Sequence, residues 1–147
     1  MRSFVRRVWL GLAVLLVAGV SVGQAAETEP AWSPADVVAL SKQLSAALDE
    51  LLRDPGLRAS QTTAFQQRKH EAAVATLKRV RPAVDDLRKR VAAGSDLEGS
   101  RPYFEQVDEA REEIAGYAED SWLPDATQAK VKHVRALFDR LAGFYER

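Results

Sequence analysis

Apolar residues recur along most of this chain at steps of three and four, the spacing that lines one face of an α-helix. The first run is Val37, Leu40, Leu44, Ala47 or Leu48, and Leu51. A second comprises Ala73, Leu77, Val80, Val84, Leu87 and Val91, and a third Phe104, Val107, Ile114 and Tyr117 or Ala118. The last is Val131, Val134, Leu137, Phe138, Leu141 and Tyr145. No segment alternates as a half-buried strand would, hairpin dipeptides are missing, and no repeat of solenoid length is found.

Start and stop signals bracket these runs. Ser33-Pro34-Ala35-Asp36 reads as a helix start, with serine at the cap, proline at the first helical position and an acid in the first turn. Asp54-Pro55-Gly56 ends that helix, because proline cannot continue the hydrogen-bond ladder cheaply. The second helix is expected from near Ser60 to Ala93, closed by Gly94, with a kink or break at Pro82. Residues 94–100 read as a polar loop, and Ser100-Arg101-Pro102 as the start of the third helix. Ser121-Trp122-Leu123-Pro124 is the next break, and the fourth helix runs from there to the end. Four amphipathic helices with short connections predict an all-α, up-down-up-down antiparallel four-helix bundle.

Charge sharpens that arrangement. Counted over residues 34–54, 61–93, 101–120 and 124–147, the helices carry −2, +5, −5 and +2. In an up-down-up-down bundle every neighbouring pair is then opposite in sign. Single exposed pairs contribute only about 0–1 kcal/mol, so this biases the topology without holding it together.

The first 26 residues have a different character. Arg2, Arg6 and Arg7 precede an apolar run from Val8 to Val22, and Gly23 and Ala25 are small. This is the layout of a secretory signal peptide, with cleavage expected after Ala25 or Ala26. The run of about 15 apolar residues is shorter than the roughly 20 that span a bilayer, so no stable membrane anchor is expected after cleavage. The expected mature domain, 27–147, is periplasmic or secreted. It keeps all 21 acidic residues but only 18 of the 21 basic ones, so the neutral precursor becomes a domain of net charge −3. That balance argues against nucleic acid as a partner.

Composition removes several chemistries. Cysteine is absent and the only methionine is Met1, which excludes disulfides, cysteine-held zinc, iron–sulfur clusters and covalently attached haem. No nucleotide-binding, metalloprotease, nucleophile-elbow or calcium-loop motif occurs. Ser95 and Ser100 follow glycines, and both read as loop or capping residues. His70 falls within the apolar arc of the second helix, and His133 at the edge of the apolar stripe of the fourth. Counting from the helix starts puts the two at similar height on diagonal helices, so they are the candidate cofactor ligands, for haem or for a metal ion shared with Glu71. A core or boundary histidine with a hydrogen-bond partner is the favoured reading of each. Glu109 with Glu113 and Asp108 with Glu112 have i,i+4 spacing, which reads chiefly as a solvated acidic face. No nucleophile–base pair or metal set can be assembled, so an enzyme is not expected and no catalytic residue is assigned.

A leader, about 120 further residues, four helices, no cysteine and a basic–apolar last helix ending Phe144-Tyr145-Glu146-Arg147 together resemble the periplasmic cytochrome b562 family. The resemblance implies a four-helix bundle holding haem between a methionine early in helix one and a histidine late in helix four. Here those places offer Val37 and Val38, and Gly143, Phe144 and Tyr145, so the haem ligands are not matched. Small helical periplasmic chaperones are a second likeness, although their L-T-x-x-Q repeat is missing. The expectation is a non-enzymatic, exported binding or interaction protein. The alternatives are a haem or metal binder using His70 and His133, or a chaperone-like protein; the partner and the oligomeric state stay open.

Overall fold

A computed structural model of the chain describes residues 31–57, 63–118 and 123–146. The expected signal peptide and the expected helix start at Ser60 lie outside them, as does Trp122. Four helices, α1 (Pro34–Arg53), α2 (Ala64–Ala92), α3 (Leu97–Ala118) and α4 (Asp125–Ala142), account for nearly all of the described chain, with a single 3-10 turn at Pro55–Leu57. Packing runs α1 to α2, α2 to α3, α3 to α4 and α4 back to α1. The helices form the up-down-up-down four-helix bundle that the hydrophobic periodicity predicts.

Local chemistry sets the ends. Ser33 is the N-cap of α1 and its hydroxyl accepts a bond from the Asp36 amide at 3.3 Å. Asp54 closes the helix with extended backbone, as the following Pro55 demands. At the start of α2, Thr63 and Gln66 form a reciprocal capping box. At its end Gly94 has φ +97°, and the Gly94 and Ser95 amides bond back to the Val91 and Arg90 carbonyls. This is a Schellman closure, which a side chain at residue 94 would strain.

One expectation narrows here and one changes. Of the kink or break expected at Pro82, the break does not occur, because α2 is one helix through it. Pro82 is exposed and has no amide hydrogen, which leaves the Lys78 carbonyl without its usual main-chain donor. α3 begins at Leu97, four residues ahead of Arg101, because the Asp96 carboxylate accepts from the Gly99 amide at 2.8 Å and serves as the cap. Pro102 therefore lies inside the helix, and Ser100, read as a loop or capping residue, is fully buried.

The apolar stripes meet in one core. All six apolar residues expected on α4 and its tail are buried, from Val131 to Tyr145, as are all six on α2. Of the two choices on α1, Leu48 is buried and Ala47 half-buried. At the end formed by the start of α1 and the tail of α4, Tyr145 stacks on Phe104 with ring centroids 4.2 Å apart, and Trp32 meets it edge-on at 5.2 Å. The backbone beyond α4 folds back to deliver that ring, through bonds from the Phe144, Tyr145 and Glu146 amides to the Leu141 and Ala142 carbonyls.

Helix register follows from specific contacts. Ser45 pairs with Asp85 and Asp49 with Arg81, so Leu77 of α2 lies level with Arg53 at the end of α1. The first thirteen residues of α2, Ala64 to Thr76, extend about 20 Å past that level, and none is buried before Ala73. Phe65, there, is 60% exposed, with the Lys69 ammonium 5.2 Å from its ring centroid.

Candidate functional site

The polar side chains that a site could use divide into those committed to the seams between helices and those left on the surface. On the α1–α2 seam Arg81 grips Asp49 through both carboxylate oxygens, at 2.9 and 3.0 Å, and also pairs with Asp85. Ser45 donates to Asp85 at 3.1 Å. The hydrogen bond from Arg81 holds the Asp49 carboxyl below its ordinary pKa. Burial opposes the charge on Asp85, but bonds from Arg81 and Ser45 outweigh it and leave that carboxyl lowered too.

On the α2–α3 seam Glu113 accepts from Thr76 and from Arg79, and these bonds hold its pKa down. On the α3–α4 seam Arg111 pairs with Glu146 at 2.6 Å and with Asp108 at 2.9 Å. Burial raises Asp108 in spite of Arg111. On the α1–α4 seam the buried Asp54 accepts from the Lys130 ammonium at 2.7 Å, the Gly56 amide at 2.7 Å and the Thr127 hydroxyl at 3.2 Å. The Lys130 bond is the chief reason its carboxyl is held low. The acidic pairs noted on helix three are thereby dispersed: Asp108 and Glu113 belong to seams, and Glu109 and Glu112 are exposed. Among the described residues no three His, Asp or Glu side chains are grouped so as to hold a metal ion.

The histidines are not brought to one place. Asp54 meets Thr127 and Glu50 pairs with Lys130, so His133 lies level with Leu48 of α1. His70, by the α1–α2 register, lies beyond the end of α1. The two are about 18 Å apart along the bundle axis, not at the similar height that counting from helix starts suggests. His133 is exposed in a groove of about 470 Å³ between α1 and α4, lined also by Ala47, Glu50, Ala126, Ala129 and Lys130. His70 is half-buried on α2, which does not line that groove.

The residues at the two positions that the family resemblance points to do not fit haem. Val37 is fully buried and has no donor atom. Tyr145 is 1% exposed, its hydroxyl lies 3.0 Å from that of Ser100, and burial raises its phenol pKa, so it stays a neutral phenol. The space between the helices at that end is filled by the Trp32, Phe104 and Tyr145 rings. At the opposite end an apolar cavity bounded by Leu51, Leu77, Ile114 and Val131 measures about 10 Å³, at the lower limit for one water molecule.

The surface carries charge on both sides of the bundle. Along the α1–α4 face a second groove of about 540 Å³, walled by Asp36, Ala39, Gln43, Asp139, Arg140 and Gly143, continues the first. Six alanines are exposed on these two helices: Ala35, Ala39, Ala46, Ala126, Ala129 and Ala136. α2 and α3 expose Lys78, Asp86, Lys89, Glu105, Glu109 and Glu112 together with Ala72 and Ala75, and the alanines of α1 and α4 stand among exposed Lys42, Glu50, Lys132, Arg135, Asp139 and Arg140. Sequence reasoning missed these grooves, although the alanine spacing on the polar side of the α1 and α4 stripes could have signalled them. Comparison with protein-family models, curated proteins and solved structures finds no match.

Proposed function

We propose that this chain is an exported, non-catalytic helical-bundle interaction module, a cytochrome b562-like bundle without haem ligands, and that its α1–α4 face does the binding. The two grooves between α1 and α4, of about 470 and 540 Å³, carry this reading. Alanines beside shallow grooves let another helix approach closely and lose little side-chain entropy on binding. The polar side chains on the seams act in packing, which leaves recognition to the grooves. Catalysis would require a poised nucleophile or base, and each perturbed carboxyl is tied to a structural partner instead.

Site-specific photo-crosslinking in the exporting cell tests the reading. A photoreactive residue at Ala129 is expected to give a discrete crosslinked adduct, and one at Lys89 on the α2–α3 face none. Adducts from Lys89 alone would move the binding surface to the other face, and no adduct from either position would remove the interaction-module reading.

A further inference from the structure

Hydrogen-bond donors are left over where α1 packs against α2. The register that sets Ser45 beside Asp85 and Asp49 beside Arg81 also sets Lys42 level with Arg88. These side chains and Ala46 line a groove of about 270 Å³ that opens between the two helices. Its acids are already engaged. Asp49 gives both oxygens to Arg81, and Asp85 gives one to Arg81 and the other to Ser45. Arg88 reaches Asp85 through one terminal nitrogen at 3.4 Å, and its Nε is buried with no hydrogen-bond partner among the described residues. Lys42 is exposed and enters no ion pair among them. Ser41 is 0% exposed, and its hydroxyl likewise has no partner among the described residues. It lies one turn before Ser45 on the flank of α1 that turns toward α2, within one residue of the level of Arg88.

We infer that this end of the groove binds a phosphate group, with Lys42 and Arg88 at the rim and the Ser41 hydroxyl at the floor. The site is separate from the α1–α4 face and stands whether or not that face binds a partner. Lysine and arginine can only donate, and with the seam's acids engaged the serine hydroxyl also lacks an acceptor there. A buried donor without a partner is destabilising, and an acceptor arriving from solvent removes that penalty. The Nε edge of arginine offers two parallel N–H groups, which match two oxygens of a phosphate or a carboxylate. Lys42 and Ser41 come from the other helix and call for oxygens outside that plane, which a tetrahedral phosphate has and a planar carboxylate lacks. Three cations line the groove against two acids, so an anion meets a net positive charge. The groove opens to solvent, which admits phosphate as the free ion or as the end of a monoester.

NMR titration of the purified exported chain at pH 7 and fixed ionic strength tests this, with inorganic phosphate, glycerol 3-phosphate and acetate as probes. Phosphate is expected to shift the amides of residues 41–45 and 85–89 saturably, and acetate to bind about tenfold more weakly. Lys42→Gln, at an exposed position, and Arg88→Gln should each weaken phosphate binding about tenfold. Ser41→Ala should weaken it roughly two- to tenfold without lowering the stability of the unliganded chain, because the hydroxyl bonds nothing there. Tighter binding of glycerol 3-phosphate than of inorganic phosphate assigns the site to a monoester, and the reverse order to the free ion. Shifts that do not saturate, acetate bound as tightly as phosphate, or an affinity unchanged in any of the three variants overturns the proposal.

Discussion

Gly56 shows how closely two distant segments meet at single residues. A Cβ built there would lie 1.9 Å from the Thr127 hydroxyl oxygen and 2.9 Å from an Asp54 carboxylate oxygen. Gly56→Ala is therefore expected to cost about 1–3 kcal/mol through overpacking, measured by urea unfolding, and Thr127→Ala in the same chain should restore part of that loss. Asp54 tests the electrostatics of the same corner. Its folded-state pKa lies below the ordinary 3.8, so its contribution is present above that value and lost as pH falls through the lowered one. Asp54→Asn should lower stability at pH 7 and flatten its decline on acidification. Asp108 has the opposite sign, being raised by burial, so stability from this group is present below the ordinary value and lost as pH rises through the raised one. Asp108→Asn should accordingly cost little at pH 7 in the same unfolding measurement. None of these pairings was legible in the sequence: Asp54-Pro55-Gly56 marks a turn, but nothing local says that Thr127, 73 residues away, will close it. Ser100 illustrates the same gap, since a serine after glycine reads as loop until Tyr145 is folded against it.

At the level of the helices, the elements themselves were legible and their ends less so. The apolar spacing identified every described core residue of α2, because a buried face constrains each turn of a helix. The start of α3 was misplaced because Pro102 competes as an N-terminal signal with the true cap, Asp96. Proline is tolerated inside a helix when only one main-chain bond is lost and its ring faces outward. Pro82 is such a case, and the core residues Val80 and Val84 on either side hold α2 in place across it. Pro82→Ala is expected to stabilise the protein by about 1–3 kcal/mol, since the Lys78 carbonyl regains a donor and no packing is lost at an exposed position. A rise in the chemical denaturation midpoint checks this, and a fall would mean that the proline ring serves a contact that exposure conceals. The histidine heights failed for a related reason: counting from helix starts presumes flush ends, and α2 overhangs.

Across the whole molecule, charge alternation among the helices has a structural counterpart, because each of the four seams carries a cross-helix ion pair. Three follow the net charges of the helices they join. The α3–α4 seam reverses them, with Arg111 of acidic α3 reaching Asp139 and Glu146 of the basic fourth segment. Net charge per helix therefore indicated which helices are neighbours but not which side chains meet. Among the described carboxyls, Asp49, Asp54, Asp85 and Glu113 are held low and Asp108 is raised, so the sum favours the ionised bundle. Thermal midpoints should change little from pH 8 to about pH 5 and fall steeply below about pH 4, as those carboxylates take up protons. A midpoint that held steady through pH 3 would show the seams to be electrostatically idle. The overhang of α2 has a consequence of another kind. Its first two turns bury no side chain of their own, so they can open without disturbing the core and should exchange their amide hydrogens far faster than the turns after Ala73. That makes the stretch around Arg68 and Lys69 the cheapest place on α2 for a protease to enter. A trypsin cut there would part α1 from α2, α3 and α4, leaving the two pieces held together by the core they share.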